Sequence, residues 1–143
     1  MKKTLLMLSA LAVFGGAGLV AAQIAKVKSP EGAKVYIISP KNGDTVTSPF
    51  TVQFGLKGMG IAPAGMDHPN TGHHHLLIDV AQMPDMNAPM PATDNIKHFG
   101  MGQTEAEVTL PPGRHTLQLA FADYLHRAHD KPVLSEKITV TVK

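Results

Sequence analysis

The run Gly72-His73-His74-His75-Leu76-Leu77-Ile78-Asp79 sets three consecutive imidazoles at the start of an apolar stretch. Imidazole nitrogen binds zinc, copper and nickel, and it does so in the neutral form available near pH 7. A strand sends successive side chains to opposite faces. His73 and His75 therefore share a face, about 7 Å apart along the backbone, close enough to reach one ion. His74 points the other way, with Leu76 and Ile78, and has a structural place beside them.

Further donors lie elsewhere in the chain. His98-Phe99-Gly100-Met101 offers a nitrogen and a sulfur within one turn, and Leu125-His126-Arg127-Ala128-His129-Asp130 offers two more imidazoles. If that last segment forms a single turn, His126 and His129 fall on the same side at i and i+3. Asp123 or Asp130 can then orient a ligand ring; the alternative is a polar loop with two solvated histidines. His115 shares a face with Leu117, Leu119 and Phe121, which suits a hydrogen-bonded histidine of the core or rim better than a ligand. His68 stands in a Gly/Pro loop and has no assigned role.

After the first 22 residues the methionines are Met59, Met66, Met83, Met86, Met90 and Met101, all within one segment. Thioether sulfur is soft and suits Cu(I), whereas imidazole suits Cu(II), Zn and Ni. The alternative for the loop methionines is packing, since Met fills irregular gaps well. The candidate ligand set is His73 and His75 from the strand and His98 with His126 or His129 from loops, with Met59 or Met101 as a soft donor. Copper, as Cu(I) or Cu(II), is the expected ion, and zinc is the alternative.

Short β-patterned runs must position these groups. Val35-Tyr36-Ile37-Ile38, the alternating Phe50 to Leu56, the histidine strand itself, Glu105 to Leu110, His115 to Phe121 and Lys137 to Val142 all read as strands. Turn signals separate them, including Asn42-Gly43 and Pro111-Pro112-Gly113. With no helical periodicity, the pattern predicts an all-β fold: one immunoglobulin-like antiparallel β-sandwich over 34–143, after a leader over 23–33. Two long irregular stretches, 57–72 and 81–104, flank the histidine strand, and loops of that length are functional or disordered.

The N-terminus reads as a secretory signal over 1–22. Lys2 and Lys3 precede an apolar run from Leu5 to Val20, and Val20-Ala21-Ala22 offers small residues for cleavage. The run is short, Gly15, Gly16 and Gly18 interrupt it, and no basic stop-transfer cluster follows, so cleavage is favoured over a retained anchor. The chain has no cysteine, which excludes disulfides, thiolate sites and a lipoprotein anchor. A bacterial periplasm is the expected location. Removing Lys2 and Lys3 from 13 basic residues leaves 11, against 11 acidic ones. That balance gives no basic stripe for nucleic acid, and no second apolar run suggests a membrane span after cleavage.

Longer strings carry a resemblance. They are Gly58-Met59-Gly60-Ile61-Ala62-Pro63-Ala64-Gly65, Asn70-Thr71-Gly72 with the histidine strand, His98-Phe99-Gly100-Met101-Gly102-Gln103-Thr104-Glu105, Leu110-Pro111-Pro112-Gly113-Arg114-His115-Thr116-Leu117-Gln118-Leu119 and His126-Arg127-Ala128-His129-Asp130. The chain resembles a family of small exported bacterial proteins known only as a domain of unknown function. The resemblance implies that the triplet, His98, His115, His126 and His129 belong to the family pattern. Most of the methionines do not. The pattern has Gly where Met101 stands, Asn in place of Leu125 and Pro in place of Ala128, which weakens a thioether reading more than an all-histidine one. A looser analogy is to immunoglobulin-like periplasmic copper carriers, which also lack Cys and combine His with Met.

The expected function is therefore a periplasmic metal-binding protein, copper foremost, that carries, buffers or delivers its ion, with a periplasmic or envelope protein as partner. The alternatives are a non-metal envelope module for a protein, peptide or glycan, and a domain whose histidines form a structural hydrogen-bond network. No nucleophile motif, paired carboxylates or phosphate loop is visible, so a binding protein is expected rather than an enzyme.

Overall fold

The computed structural model describes residues 24–143. The expected signal segment lies outside the described residues. Ten strands and no helix form the described chain: β1 (Lys34–Ser39), β2 (Thr45–Val46), β3 (Phe50–Lys57), β4 (Gly60–Ile61), β5 (Thr71–Ile78), β6 (Ile96–Phe99), β7 (Glu105–Val108), β8 (Gly113–Ala122), β9 (Ala128–Leu134) and β10 (Ile138–Val142). They make a β-sandwich. One sheet has the order β1-β3-β7; the other runs β2-β10-β8-β5-β4, with β6 also on β5 and β9 also on β8. Most pairings are antiparallel, as expected, but the short β2 and β4 pair in parallel with β10 and β5.

Alternation builds the core between the sheets. Val52 and Phe54 of β3 face inward, as do Leu76 and Ile78 of β5 and Leu117, Leu119 and Phe121 of β8; Val35, Val108, Val133 and Val140 complete the cluster. The register pairs Leu76 with Leu119, Ile78 with Leu117 and His74 with Phe121. Residues opposite each other across a ladder share a face. His74 therefore enters the core, packed against Phe54 and Phe121 at ring separations of 5.1 and 5.0 Å.

The outer face of the larger sheet is covered as well. The Pro/Met-rich segment over 80–95 folds back across it and forms a second apolar cluster of Leu77, Met90, Ile96 and Ala120, edged by Val80, Met83 and Leu134. From Gly72 to Ile78 every residue of β5 is buried. A strand covered on both faces reads as a continuous apolar run, and in β5 histidine fills part of that run.

The sequence pattern missed four strands, of which β2 is a two-residue pairing after the Asn42-Gly43 turn. β4 and β6 lie inside the expected loops. β9 contains Pro132, which breaks a strand signal and is tolerated here because, among the described residues, β9 pairs only with β8. The leader is also anchored. Val27 accepts from the Asp130 amide (2.9 Å), the Ser29 amide donates to Asp130 Oδ1 (2.9 Å), and Lys26 Nζ donates to the Met86 carbonyl (2.8 Å).

Candidate metal centre

The outer face of β5 carries His73 and His75, whose ring centroids lie 4.9 Å apart. The register places His98 of β6 directly opposite His75 and Ala122 and Ala120 of β8 opposite His73 and His75. The small alanines leave room over the sheet, and His98 fills part of it, 5.0 Å from His73 and 5.1 Å from His75. His126 arrives from the turn between β8 and β9, 5.0 Å from His73 and 4.7 Å from His98. Four imidazoles thus converge from three segments far apart in sequence.

Each loop-borne ring is held by local chemistry. Gly100 follows His98 closely because a β-carbon there would collide with the His98 imidazole. His126 has a left-handed backbone, φ 64°, at the end of a turn organised by buried Asp123. Asp123 Oδ1 accepts from the amides of Leu125 (2.8 Å) and Arg127 (2.9 Å), and the Asp123 carbonyl accepts from the His126 amide (2.9 Å). The His126 carbonyl in turn accepts from Met90 (2.7 Å), so the covering segment clamps the same turn. Arg127 reaches back to Asp123 and to the carbonyls of Ile24 and Ala25 in the leader. Asp123 therefore shapes the loop and orients no ring by direct hydrogen bond; Asp130 is spent on the leader.

The electrostatics suit a cation bound by neutral imidazoles. Burial lowers the His73 pKa to about 4, with repulsion from His126 and His98 adding to it. Burial lowers His75 to about 3, with His73, His98 and His126 adding to it. His98 is lowered by its partial burial and then by His126. His73 and His75 are fully buried, and none of their four ring nitrogens has a hydrogen-bond partner among the described residues. Leaving a buried polar group unpaired costs about 1–3 kcal/mol.

A metal ion would satisfy one nitrogen of each imidazole that binds it. One ligand atom from each of His73, His98 and His126 lies within 4.8 Å of the others. A tetrahedral shell at bond lengths near 2.05 Å separates donors by about 3.4 Å, shorter than that bound. The three could hold a metal ion, and the His75 ring lies beside them, 4.9 Å from that of His73 and 5.1 Å from that of His98.

Three other expected ligands stand apart. His129 does not join His126, because the turn ends at Arg127 and the chain is extended from Ala128. Alternation then sends His129 toward the core, where it stacks on Phe121 (6.1 Å, 9° between planes) and donates from Nε2 to the Thr71 carbonyl (3.2 Å). Met59 packs against the inter-sheet core. Met101 is 80% exposed. His115 is the rim histidine expected, donating to Asp79 Oδ2 (2.7 Å) and to the Pro111 carbonyl (2.9 Å).

The fold and this cluster define a β-sandwich with four clustered histidines on the outer face of one sheet, three of which could hold a metal ion. The chain belongs to the family described as "Domain of unknown function (DUF4399)", whose model matches residues 52–143 and so includes all four histidines. No curated protein matches it. Among solved structures, an endo-β-1,4-mannanase from Thermotoga petrophila aligns at 18% identity with a TM-score of 0.46, over 78% of this chain and 20% of that one. The chain thus spans about a fifth of that protein's length. No helix among the described residues is long and apolar enough to cross a membrane.

Proposed function

We propose that this protein is an exported metal-binding protein that holds one transition-metal ion through His73, His75, His98 and His126, and carries, buffers or delivers it in the periplasm. The observation that carries this reading is the pair of fully buried imidazoles, His73 and His75, with no hydrogen-bond partner and two further rings facing them. Copper is the proposed ion. The clustered donors are nitrogens, and for a nitrogen site the affinity order of divalent ions peaks at Cu(II), with Zn(II) below it. His98 is exposed while His73 is buried, so one side of the bound ion faces solvent, as loading and release require. Export is supported by the apolar N-terminal run and by the absence of cysteine.

The test is a competition titration of the chain from Gln23 with Cu(II), Cu(I) and Zn(II) against chelators of known strength. One equivalent bound tighter than about micromolar, lost in His73→Ala/His75→Ala while the β-sheet circular dichroism persists, is the expected result. Binding no tighter than that of a surface histidine pair, or unaffected by the double substitution, would overturn the reading.

A further inference from the structure

Residues 24–29 lie along the turn that carries His126. Arg127, the next residue, donates from Nη1 to the Ile24 carbonyl (3.0 Å) and from Nη2 to the Ala25 carbonyl (3.3 Å). The same Nη2 reaches Asp123 Oδ2 (3.3 Å). Lys26 Nζ donates to the Met86 carbonyl of the covering segment (2.8 Å), and the Ser29 amide donates to Asp130 Oδ1 (2.9 Å). The leader is thus tied to both supports of His126: to Arg127, and to the segment whose Met90 amide donates to the His126 carbonyl (2.7 Å). Apolar burial contributes little to this attachment. Neither apolar cluster includes a residue from 24–29, and Ile24 is 64% exposed. An open cleft of about 600 Å³, lined by Ile24, Lys26, Asn87, Pro89 and Arg127, separates the leader from the covering segment. A segment held by hydrogen bonds beside an open cleft, with few buried apolar contacts, detaches at low cost.

We propose that residues 24–29 are a clasp on the His126 turn, that Arg127 is the positioning residue through which the clasp acts, and that lifting the clasp frees the bound ion. The proposal rests on the reading of the histidines as a metal centre. His73 and His75 stand on a strand buried on both faces, and His98 stands on a strand paired with it, so the sheet fixes all three. Of the clustered rings, His126 alone stands on a turn, with φ 64°. That turn is organised by the Asp123 carboxylate, which Arg127 shares with the turn amides. The Arg127 side chain is only 11% exposed. When the leader withdraws, its guanidinium loses two acceptors in a mostly buried place and must turn toward water to replace them. Its bond to Asp123 is given up in that movement, and the turn loosens. The His126 nitrogen–metal bond then breaks with no change of oxidation state, and the vacated position is open to an acceptor's ligand.

The test uses the chain from Gln23, with Cu(II) as the probe and its release to excess chelator followed by stopped flow. Lys26→Ala/Asp130→Ala cuts the side-chain ties of the clasp and touches no histidine of the cluster. It should release Cu(II) about ten-fold faster than the wild type. Lys26→Arg/Asp130→Asn keeps a donor and an acceptor at the two positions and should stay within about two-fold of the wild type. Arg127→Lys cannot span both leader carbonyls and Asp123, so it should also release faster. Combined with the clasp variant it should add little, because the two changes act through one contact. In the metal-free clasp variant the His126 and Arg127 amides should exchange hydrogen about ten-fold faster, with β5 and β8 unchanged. Release within two-fold of the wild type in the clasp variant, or exchange that quickens in β5 and β8 as well, would overturn the clasp. Fully multiplicative effects would overturn the part given to Arg127. If the wild type binds no Cu(II) while the exchange pattern holds, the clasp stands and the metal centre falls.

Discussion

His74 has both ring nitrogens buried without a partner, yet it faces the aromatic core and not the metal cluster. Burial lowers its pKa to about 4, so it is a neutral, unsatisfied polar group among Phe54, Phe121 and the aliphatic core. Replacing it with an apolar side chain of similar volume removes that penalty. His74→Leu is expected to raise unfolding free energy by about 1 kcal/mol in urea denaturation and to leave metal affinity unchanged. His73→Ala and His75→Ala, one residue away on either side, should do the reverse to affinity. Gly100 allows a second test. Gly100→Ala forces the His98 ring aside, so metal affinity should fall by about ten-fold, with little change in circular dichroism.

The turn from Asp123 to Arg127 decides whether a site exists. Its carboxylate holds two amides and an arginine, and the turn's last carbonyl groups are taken by Met90 and by the Asp123 amide. Those bonds hold His126 in its left-handed conformation over His73. Asp123→Ala leaves these donors unpaired in a buried place and is expected to cost about 2 kcal/mol of stability. Its effect on metal affinity should exceed that of a surface substitution of equal stability cost, read by comparing isothermal titration with thermal melts. The same turn explains the parting of His126 and His129. Spacing alone suggested one helical turn and a shared side; the Asp123 hydrogen bonds close a tighter turn, and β9 begins before His129.

Across the molecule, two sets of histidines oppose each other in their response to pH. His73, His74 and His75 have pKa values pushed below 6.5, so the unfolded chain takes up protons first as pH falls. Metal-free stability should be full above about pH 6.5 and decline from there toward pH 4, and metal should be released over the same acid range. His115 is raised, chiefly by its hydrogen bond to Asp79 and also by Pro111. Both ring nitrogens face acceptors, which the doubly protonated ring satisfies. Its contribution is full below 6.5 and lost as pH rises through the raised value. His115→Gln should therefore destabilise at pH 6 and have a smaller effect at pH 9, measured by chemical denaturation at both. Bound metal at 100 times its dissociation constant should add about 2.7 kcal/mol and raise the melting temperature by roughly 10 °C. Chelation should reverse that gain.

Much of this arrangement is legible in the chain as written. Period-two alternation marked β3, β5, β8 and β10, and so put His73 and His75 on one face, His74 on the other and His115 at the rim. Local rules suffice there because side-chain direction in a strand depends on parity alone. Parity does not say which residue lies opposite, and that choice assembled the centre. His98 faces His75 because β6 pairs with β5 in one register, and a slip of one residue would have presented Lys97 or Phe99. His126 faces His73 because a buried carboxylate closes a turn and a distant loop clamps it. The same long-range packing drew Met59, Met83 and Met90 into apolar clusters and left Met66 and Met101 exposed. Methionine packs or binds according to whether apolar surface or a soft ion is beside it, and residues far along the chain supply that neighbour.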